Sequence, residues 1–176
     1  MIAEKFFLRD AEIVAKEILG KILVRKLKNK KLKAKIVETE AYYDKKDPAS
    51  RACKKGDLRE TMKSEAGTIL VYGVHNNWLI NFVTGKKGKA QAVLLRAIEP
   101  LNFKARTSGP GLLTKALIIK KDFHKKNIYD CQNIWLENQK NKEKIEIIKA
   151  FRIGVKKDLP KKLRFYIKNN RFVSKK

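Results

Sequence analysis

The order of apolar and polar positions along the chain predicts one helix followed by a largely β structure. Apolar residues recur at helical spacing after Asp10, with charged residues between them, and Gly20 follows the last of them. We therefore expect an amphipathic helix that begins at Asp10 and ends at Gly20. Residues 22–27 and 32–43 are strand-like and flank a polar turn at 28–30, so they predict a β-hairpin.

The rest of the pattern predicts a long loop and then further strands. Residues 44–67 are polar and rich in turn formers, which favours a loop. Residues 68–72 predict a strand that breaks at Gly73 and resumes over 78–83. Further strands are predicted at 92–100, 133–137, 145–155, 163–168 and 172–173. With neither a repeat nor a linker in the sequence, we expect a single domain over residues 1–176.

The second strand of the predicted hairpin carries an unusual face. Side chains alternate along a strand, so Ile36, Glu38, Glu40 and Tyr42 share one side. Two acids and a phenol do not form an ordinary core face, because an unpaired buried carboxylate is costly. The face is therefore either a functional site or part of an edge strand with solvated glutamates.

Two later segments add polar groups that need partners. Arg96 interrupts the apolar strand 92–100, so its guanidinium is expected to meet a carboxylate or an ordered water. The run 108–111 is Ser-Gly-Pro-Gly and precedes a predicted helix at 112–117. Such a helix start offers free backbone N–H groups to a phosphate, although most such turns are simply helix caps.

Composition points to a polyanionic partner. The 176 residues include 43 lysines and arginines against 18 acids, a formal net charge of +25, although a lysine-biased proteome would produce the same excess. Cys53, Cys131, His75 and His124 fall in no metal-ligand spacing, so neither a metal site nor a disulfide is expected. No apolar run approaches the roughly 20 residues that cross a bilayer. The first residues of the chain lack the pattern of a cleavable signal, so we expect a cytoplasmic protein.

Taken in order, several segments resemble the alkyladenine (3-methyladenine) DNA glycosylase family. The most specific are Ile36–Tyr42 (IVETEAY) and Ala92–Pro100 (AVLLRAIEP). The other matching segments are residues 15–25, 47–50, 81–85, 108–117, 152–155 and 163–166. The resemblance implies one mixed α/β (α+β) domain: a curved antiparallel sheet with flanking helices, barrel-like as in formyltransferase C-terminal domains. It also implies a nucleoid-associated monomer that binds double-stranded DNA containing damaged purines and needs neither metal nor cofactor.

The resemblance assigns expected roles residue by residue. Glu40 matches the general base, Arg96 the arginine that helps to hold the nucleophilic water, and Ile153 the position whose backbone carbonyl shares that water. Tyr42 matches the aromatic wall that stacks on the flipped base. Asn81 matches an asparagine at the pocket floor. Glu38, two residues before Glu40, is expected to make structural hydrogen bonds instead.

Two regions depart from the family pattern. Arg51 stands where the family usually has a histidine, which leaves the base preference open. The segment that normally carries a pocket tyrosine and a wedge tyrosine is shortened, so Tyr72 fits either role and His75 is a second candidate for the wedge. Four residues around the glycine-rich turn are expected to contact DNA: Gly109, Gly111, Thr114 and Lys115.

The activity that the resemblance implies is monofunctional excision of alkylated or deaminated purines in DNA repair. The nucleotide is flipped first, and water activated by Glu40 is the nucleophile. Two alternatives stay open. A non-catalytic basic module that binds nucleic acid, including RNA, would explain the charge and the aromatic residues. A bifunctional enzyme would also cleave the abasic strand through a lysine Schiff base. The preferred lesion among 3-methyladenine, 7-methylguanine, hypoxanthine and ethenoadenine is also open.

Overall fold

The computed structural model describes residues 2–139 and 144–175, which form a curled antiparallel sheet with few helices. The helices are α1 (Ala11–Glu17), α2 (Asp57–Met62) and α3 (Pro110–Ala116). The strands are β1 (Ile22–Leu27), β2 (Lys30–Tyr42), β3 (Ile69–Val74), β4 (Asn77–Val83), β5 (Ala92–Pro100), β6 (Ile134–Glu137), β7 (Ile147–Ala150) and β8 (Arg164–Ile167). The prediction of a mixed α/β domain with a curved antiparallel sheet is confirmed. The boundaries 1–176 stay a prediction.

Strand β2 organises the sheet. The strand order is β3-β4-β5-β2-β1-β6, and β8 also pairs with β2 while β7 pairs with β8. On one side of β2, β1 covers residues 30–35 and β8 covers residues 38–40. On the other side β5 runs along residues 34–42. Glu38 and Glu40 are therefore flanked on both sides and fully buried, so the edge-strand alternative is wrong.

Two compensating bulges shape the middle of the β2–β5 ladder. Ile36 pairs with Ile98 and Glu38 with Ala97, so β2 has one extra residue there. The next pair is Thr39 with Leu95, so Arg96 is an extra residue on β5. Bulges bend a strand and redirect side chains, often beside active sites. We attribute the aim of Arg96 toward the glutamates of β2 to this second bulge.

The core lies between the sheet and α1. Asp10 caps α1 by accepting a hydrogen bond from the backbone N–H of Glu12 at 2.9 Å, as predicted. The buried helix residues Ala11, Val14 and Ala15 pack on the sheet, and the Thr39 hydroxyl donates to the carbonyl of Ala15 at 2.7 Å. A second, smaller apolar cluster lies against Tyr42 and Tyr72 and comprises Ala52, Met62, Leu70, Val83, Ala90 and Ala92.

The structure corrects several predicted elements. Helix α1 ends at Glu17, and Gly20 (φ 81°) serves the turn into β1 instead. The segment 44–67 is not a plain loop, because a 3-10 turn at Arg51–Cys53 and α2 interrupt it. Strand β7 covers only four residues of the predicted 145–155, and Phe172–Val173 lies outside any strand.

The predicted break at Gly73 is also wrong. Gly73 lies within β3, paired with Trp78 of β4, and the chain reverses at His75 and Asn76. Both turn residues have positive φ, 46° and 60°, which suits a two-residue hairpin turn that follows the twist of the strands. The segment is therefore a β-hairpin with His75 at its tip.

Among the described residues, no helix is both long and apolar enough to cross a membrane.

Candidate active site

A cleft of about 1120 Å³ opens where the second half of β2 meets the β3–β4 hairpin. Its other walls come from residues 48–59, the start of α3 and the loop 153–157. Several predicted site residues line it: Tyr42, Arg51, Tyr72, His75, Arg96, Gly111 and Ile153. The volume is ample for a purine nucleotide, since drug-sized ligands typically occupy pockets of about 300–1,000 Å³.

Glu40 lies directly beneath the wall of this cleft. Its carboxylate accepts a hydrogen bond from the Ile153 backbone N–H at 2.8 Å and from the Tyr42 hydroxyl at 2.7 Å. Arg96 Nη1 lies 3.3 Å from Oε1 and 3.4 Å from Oε2. All three donor residues line the cleft, so they separate the carboxylate from the cleft by a single layer of its own hydrogen-bond partners.

The surroundings of Glu40 favour a proton acceptor. Burial raises the pKa of Glu40, whereas Arg96, the Ile153 N–H and the Tyr42 hydroxyl lower it, and Glu38 raises it further. The effect of burial is larger than the effects that lower the pKa, so the pKa of Glu40 lies above the ordinary 4.5. A carboxylate with a raised pKa is a stronger base and is still ionised once the pH exceeds that pKa.

Arg96 bridges the two glutamates of β2, which confirms that it meets a carboxylate. Its Nε lies 3.3 Å from Glu38 Oε1. Glu38 also accepts from Arg164 Nη1 at 2.8 Å and from the Ser174 backbone N–H at 2.7 Å. The prediction that Glu38 makes structural hydrogen bonds is therefore confirmed.

Tyr42 forms an aromatic wall with one face already covered. The Arg152 guanidinium lies over its ring, 4.5 Å from the centroid. Arg152 is held by a bidentate ion pair with Asp47, both distances being 2.7 Å, and by Asp158. Burial and then the neighbouring Glu40 raise the pKa of Tyr42 well above 10, so its hydroxyl stays protonated and can donate to Glu40.

Tyr72 and Arg51 form another wall of the cleft. The Arg51 guanidinium lies 4.8 Å from the centroid of the Tyr72 ring. Burial raises the pKa of Tyr72, while the neighbouring Arg51 and Asn81 side chains act against this increase. Asn81 is buried behind Tyr72, and its side-chain amide donates to the Leu70 carbonyl at 3.1 Å.

Comparison with known proteins identifies the family of the chain. A family model described as "Methylpurine-DNA glycosylase (MPG)" matches residues 5–171. A protein from Aeropyrum pernix, named "Putative 3-methyladenine DNA glycosylase", is 38% identical over 182 residues, covering 99% of this chain and 93% of that protein. A protein of the same name from Borrelia garinii subsp. bavariensis is 39% identical over 184 residues, with 97% of each chain covered.

The chain belongs to the methylpurine-DNA glycosylase family.

The sequence resemblance to this glycosylase family is thus confirmed, and the structure brings the predicted catalytic set of the family together. Glu40 and Arg96 are in contact, and Ile153 reaches Glu40 through its backbone N–H. The expected role of the Ile153 carbonyl, to share the nucleophilic water, stays a prediction. His75, at the exposed hairpin tip, and Tyr72, in the wall, occupy different places along the cleft.

The glycine-rich turn is mainly a packing feature. The Thr114 side chain is buried and its hydroxyl donates to the Trp78 carbonyl at 2.6 Å. A methyl group added at Gly111 would lie 2.7 Å from Cβ of Asn77, so the glycine permits close packing of α3 on the hairpin. Gly109 and Lys115 lie outside the cleft lining. Contacts of these residues with DNA stay a prediction.

Several residues that support the candidate site are not predicted from the sequence. Asp47 and Arg152 form a buried ion pair although they are 105 residues apart, and Ser174 contacts Glu38 across 136 residues. No periodicity connects such distant positions.

Among the described residues, no group of three His, Cys, Asp or Glu side chains could hold a metal ion.

Proposed function

We propose that the protein is a monofunctional DNA glycosylase that hydrolyses the N-glycosidic bond of alkylated purines of the 3-methyladenine type. The observation that carries this proposal is the fully buried Glu40, ion-paired with Arg96 beneath a cleft that can hold a flipped nucleotide. Family membership supports the same reaction class. A non-catalytic binding module would not need a buried carboxylate with a raised pKa at this point.

In the proposed reaction, Glu40 accepts a proton from a water molecule that Arg96 helps to hold. The water oxygen bonds to C1′ of the flipped nucleotide while the C1′–N bond breaks. The electron pair of that bond passes to the purine, so an alkylated, cationic base leaves as a neutral molecule. One carboxylate can therefore suffice, whereas sugar hydrolases generally use two.

Proton transfer alone does not account for the rate of an enzyme. General-base assistance contributes about 10² to 10⁴, whereas enzymes generally reach about 10⁶ or more. We assign Glu40 a second role, in which its negative charge stabilises the oxocarbenium-like sugar. The burial of Glu40 supports this role, because a fixed charge away from bulk water acts more strongly than one in solvent.

The target base must leave the helix, which costs a few kcal/mol and less for a damaged base. Stacking of an aromatic residue in the gap can return about 1–3 kcal/mol. His75 is exposed at the tip of a tight hairpin, whereas Tyr72 lies in the cleft wall under Arg51. These positions support His75 as the wedge and Tyr72, with Tyr42, as part of the base pocket.

The rim of the cleft offers cations to the DNA backbone. Lys54 and Lys55 lie on one side and Lys156 and Lys157 on the other, and all four are exposed. Among the ion pairs formed by the described residues, none involves these four lysines. Their charge is therefore available for phosphates, unlike that of Lys33 or Lys35, which pair with glutamates.

The salt dependence of DNA binding tests this rim. Each phosphate contact contributes a slope of about −0.9 to log K against log salt, so K156A/K157A should flatten the slope by about 2. The matched control is K28A/K30A. Lys30 is ten residues from Glu40 along β2, up to about 33 Å away, so the control should retain the wild-type slope. Equal slopes in the two double variants would refute the assignment of the rim.

The rate of base release should depend on pH through Glu40. The base must be ionised, so the rate should fall as the pH drops through the pKa of Glu40, and the raised pKa places this acid limb above pH 4.5. Single-turnover release from a cationic lesion between pH 4.5 and 8 would measure it. A rate independent of pH throughout this range would contradict a Glu40 base with a raised pKa.

The decisive test of the function uses duplexes that each carry one modified purine: 3-methyladenine, 7-methylguanine, hypoxanthine or ethenoadenine. Incubation with the protein and then hot alkali should cut the strand at the lesion. Strands should stay intact without alkali, and borohydride should trap no protein–DNA adduct, since a hydrolytic enzyme forms no imine. Tight binding without cutting of any duplex after alkali would favour a non-catalytic nucleic-acid-binding module.

A further inference from the structure

The segment that follows β8 contacts the charged residues behind the cleft and takes no direct part in the proposed reaction. The Ser174 backbone N–H donates to Glu38 Oε2 at 2.7 Å. The Ser174 hydroxyl accepts from Arg96 Nη2 at 3.4 Å, and the Lys175 carbonyl accepts from Arg164 Nη1 at 2.7 Å. Ser174 does not line the cleft, so it can affect the reaction only through other residues.

Ser174 holds one half of the Glu38 carboxylate. Oε1 of Glu38 faces both Arg164 and Arg96, at 2.8 and 3.3 Å. For Oε2, the Ser174 N–H is the one hydrogen-bond donor among the described residues. Glu38 is fully buried, so loss of this donor would leave a charged oxygen without water or a partner.

Glu38 and Glu40 both form ion pairs with Arg96, and the ion pair with Glu40 is weak. The guanidinium lies 3.3–3.4 Å from the Glu40 oxygens, which is long for a charge-assisted bond. Arg164 Nη1 already donates to Glu38 Oε1 and to the Lys175 carbonyl. Arg96 Nε, by contrast, is buried and makes no hydrogen bond with the described residues. A Glu38 carboxylate deprived of Ser174 would therefore turn toward Arg96 and draw the guanidinium away from Glu40. Arg96 is the strongest influence that opposes burial at Glu40, so the pKa of Glu40 would rise.

The other charged or titratable groups around Glu40 do not replace Arg96. They are Glu38 and Tyr42 on β2 and Tyr72 on β3, while Arg164 on β8 meets Glu38. Glu38 repels the charge of Glu40. Tyr42 donates one hydrogen bond to Glu40, and that bond does not depend on Ser174.

We propose that Ser174 is a positioning residue for base excision, because its backbone N–H and hydroxyl fix Glu38 and Arg96 so that Arg96 stays on Glu40. This inference rests on the proposed function. It assigns to the segment 174–175 a role in setting the ionisation of the general base. A segment that served stability alone would alter the melting temperature and leave the pH profile unchanged.

The test compares single-turnover base release as a function of pH, together with the Kd for lesion DNA. S174P and a protein that lacks residues 174–176 each remove the N–H donor in a different way. In both, we expect the acid limb to move to higher pH and the plateau rate to fall about tenfold, a loss of about 1.4 kcal/mol of transition-state stabilisation. The Kd should stay within about twofold of wild type, because Ser174 does not line the cleft.

Matched variants separate the contacts of this segment. S174T keeps both the N–H and a hydroxyl, and K175A keeps the Lys175 carbonyl while removing an exposed side chain, so both should behave as wild type. S174A loses only the long bond to Arg96 and should show a smaller shift of the acid limb. If S174P and the deletion fail to fold, the comparison of S174A with S174T decides.

The proposal is overturned if S174P and the deletion retain the wild-type acid limb and plateau rate, or if S174A and S174T have identical profiles when the other two do not fold. Failure of the proposed function is distinct, because the wild-type protein would then release no modified base. An active wild-type protein with unaltered variants refutes the role of Ser174 alone.

Discussion

Replacement of Glu40 by glutamine should abolish base release while sparing DNA binding. Glutamine keeps the shape of the side chain and can still accept from the Ile153 N–H, but it cannot take a proton from water. Loss of both the base and the negative charge near the sugar should lower the single-turnover rate at pH 7.5 by at least about 10³-fold. The Kd for lesion DNA should change little, because Glu40 pairs with Tyr42, Ile153 and Arg96 rather than with the lysines of the basic rim.

The same variant should be at least as stable as the wild type. The pKa of Glu40 is raised in the folded state above the ordinary 4.5, so ionisation at neutral pH costs folding free energy. That cost is fully present above the folded-state pKa and vanishes as the pH falls below about 4.5. Glutamine avoids it, so the melting temperature at pH 7.5 should equal or exceed that of the wild type.

E146Q is the matched control for Glu40→Gln. Glu146 is exposed and pairs with Lys168 on the surface, so this change should alter neither rate nor stability noticeably. Near-normal base release by the Glu40 variant would remove Glu40 from the mechanism. Low activity together with a much lower melting temperature would instead indicate that Glu40 supports the fold.

The chemistry of the site could be predicted further than its geometry. Alternation along β2 placed Glu38 and Glu40 on one side, and the isolated Arg96 required an acceptor; both expectations are confirmed by the ion pairs between them. The two bulges that bring these groups together leave no mark in the pattern of apolar residues. The same apolar pattern is compatible with a β2–β5 ladder that has no bulge. The register near Arg96 could therefore not be derived from periodicity.

The errors in predicted elements have physical causes. The break predicted at Gly73 follows from the depletion of glycine in strands, yet cross-strand pairing with Trp78 accommodates this glycine. The actual turn uses His75 and Asn76, and a histidine with positive φ is uncommon enough that a composition rule does not select it. Helix α2 is short and depends on tertiary contacts, so its local sequence predicts a loop instead.

The ion pair between Asp47 and Arg152 illustrates why distant support is hard to predict and what it contributes. Arg152 holds Asp47 on one side, covers Tyr42 on the other and directly precedes Ile153, whose N–H reaches Glu40. The buried guanidinium of Arg152 thus contacts both the aromatic wall and the loop after β2. The same residue also precedes the backbone N–H that donates to Glu40. Both residues lie in segments that resemble the family, but the sequence does not pair them, because a lone aspartate in a polar loop usually faces solvent.

Replacement of Asp47 by alanine should therefore cause a large loss of stability. The side chains of Asp47 and Arg152 are fully buried, and Asp47 also accepts from the backbone N–H groups of Tyr43 and Ala49. Removal of one partner leaves a buried charge that Asp158 compensates only in part. We expect the free energy of unfolding, measured by urea titration, to fall by about 3–5 kcal/mol.

D44A provides the control in the same loop. Asp44 is exposed and makes a local bond to the Lys46 N–H, so its replacement should cost less than about 1 kcal/mol. The double variant D47A/R152M removes the uncompensated charge and should recover part of the stability lost in Asp47→Ala. It should not recover base release, because the loop that presents the Ile153 N–H to Glu40 would have lost its anchor. A loss below about 1 kcal/mol in Asp47→Ala would show that the loop after β2 is held by packing rather than by this ion pair.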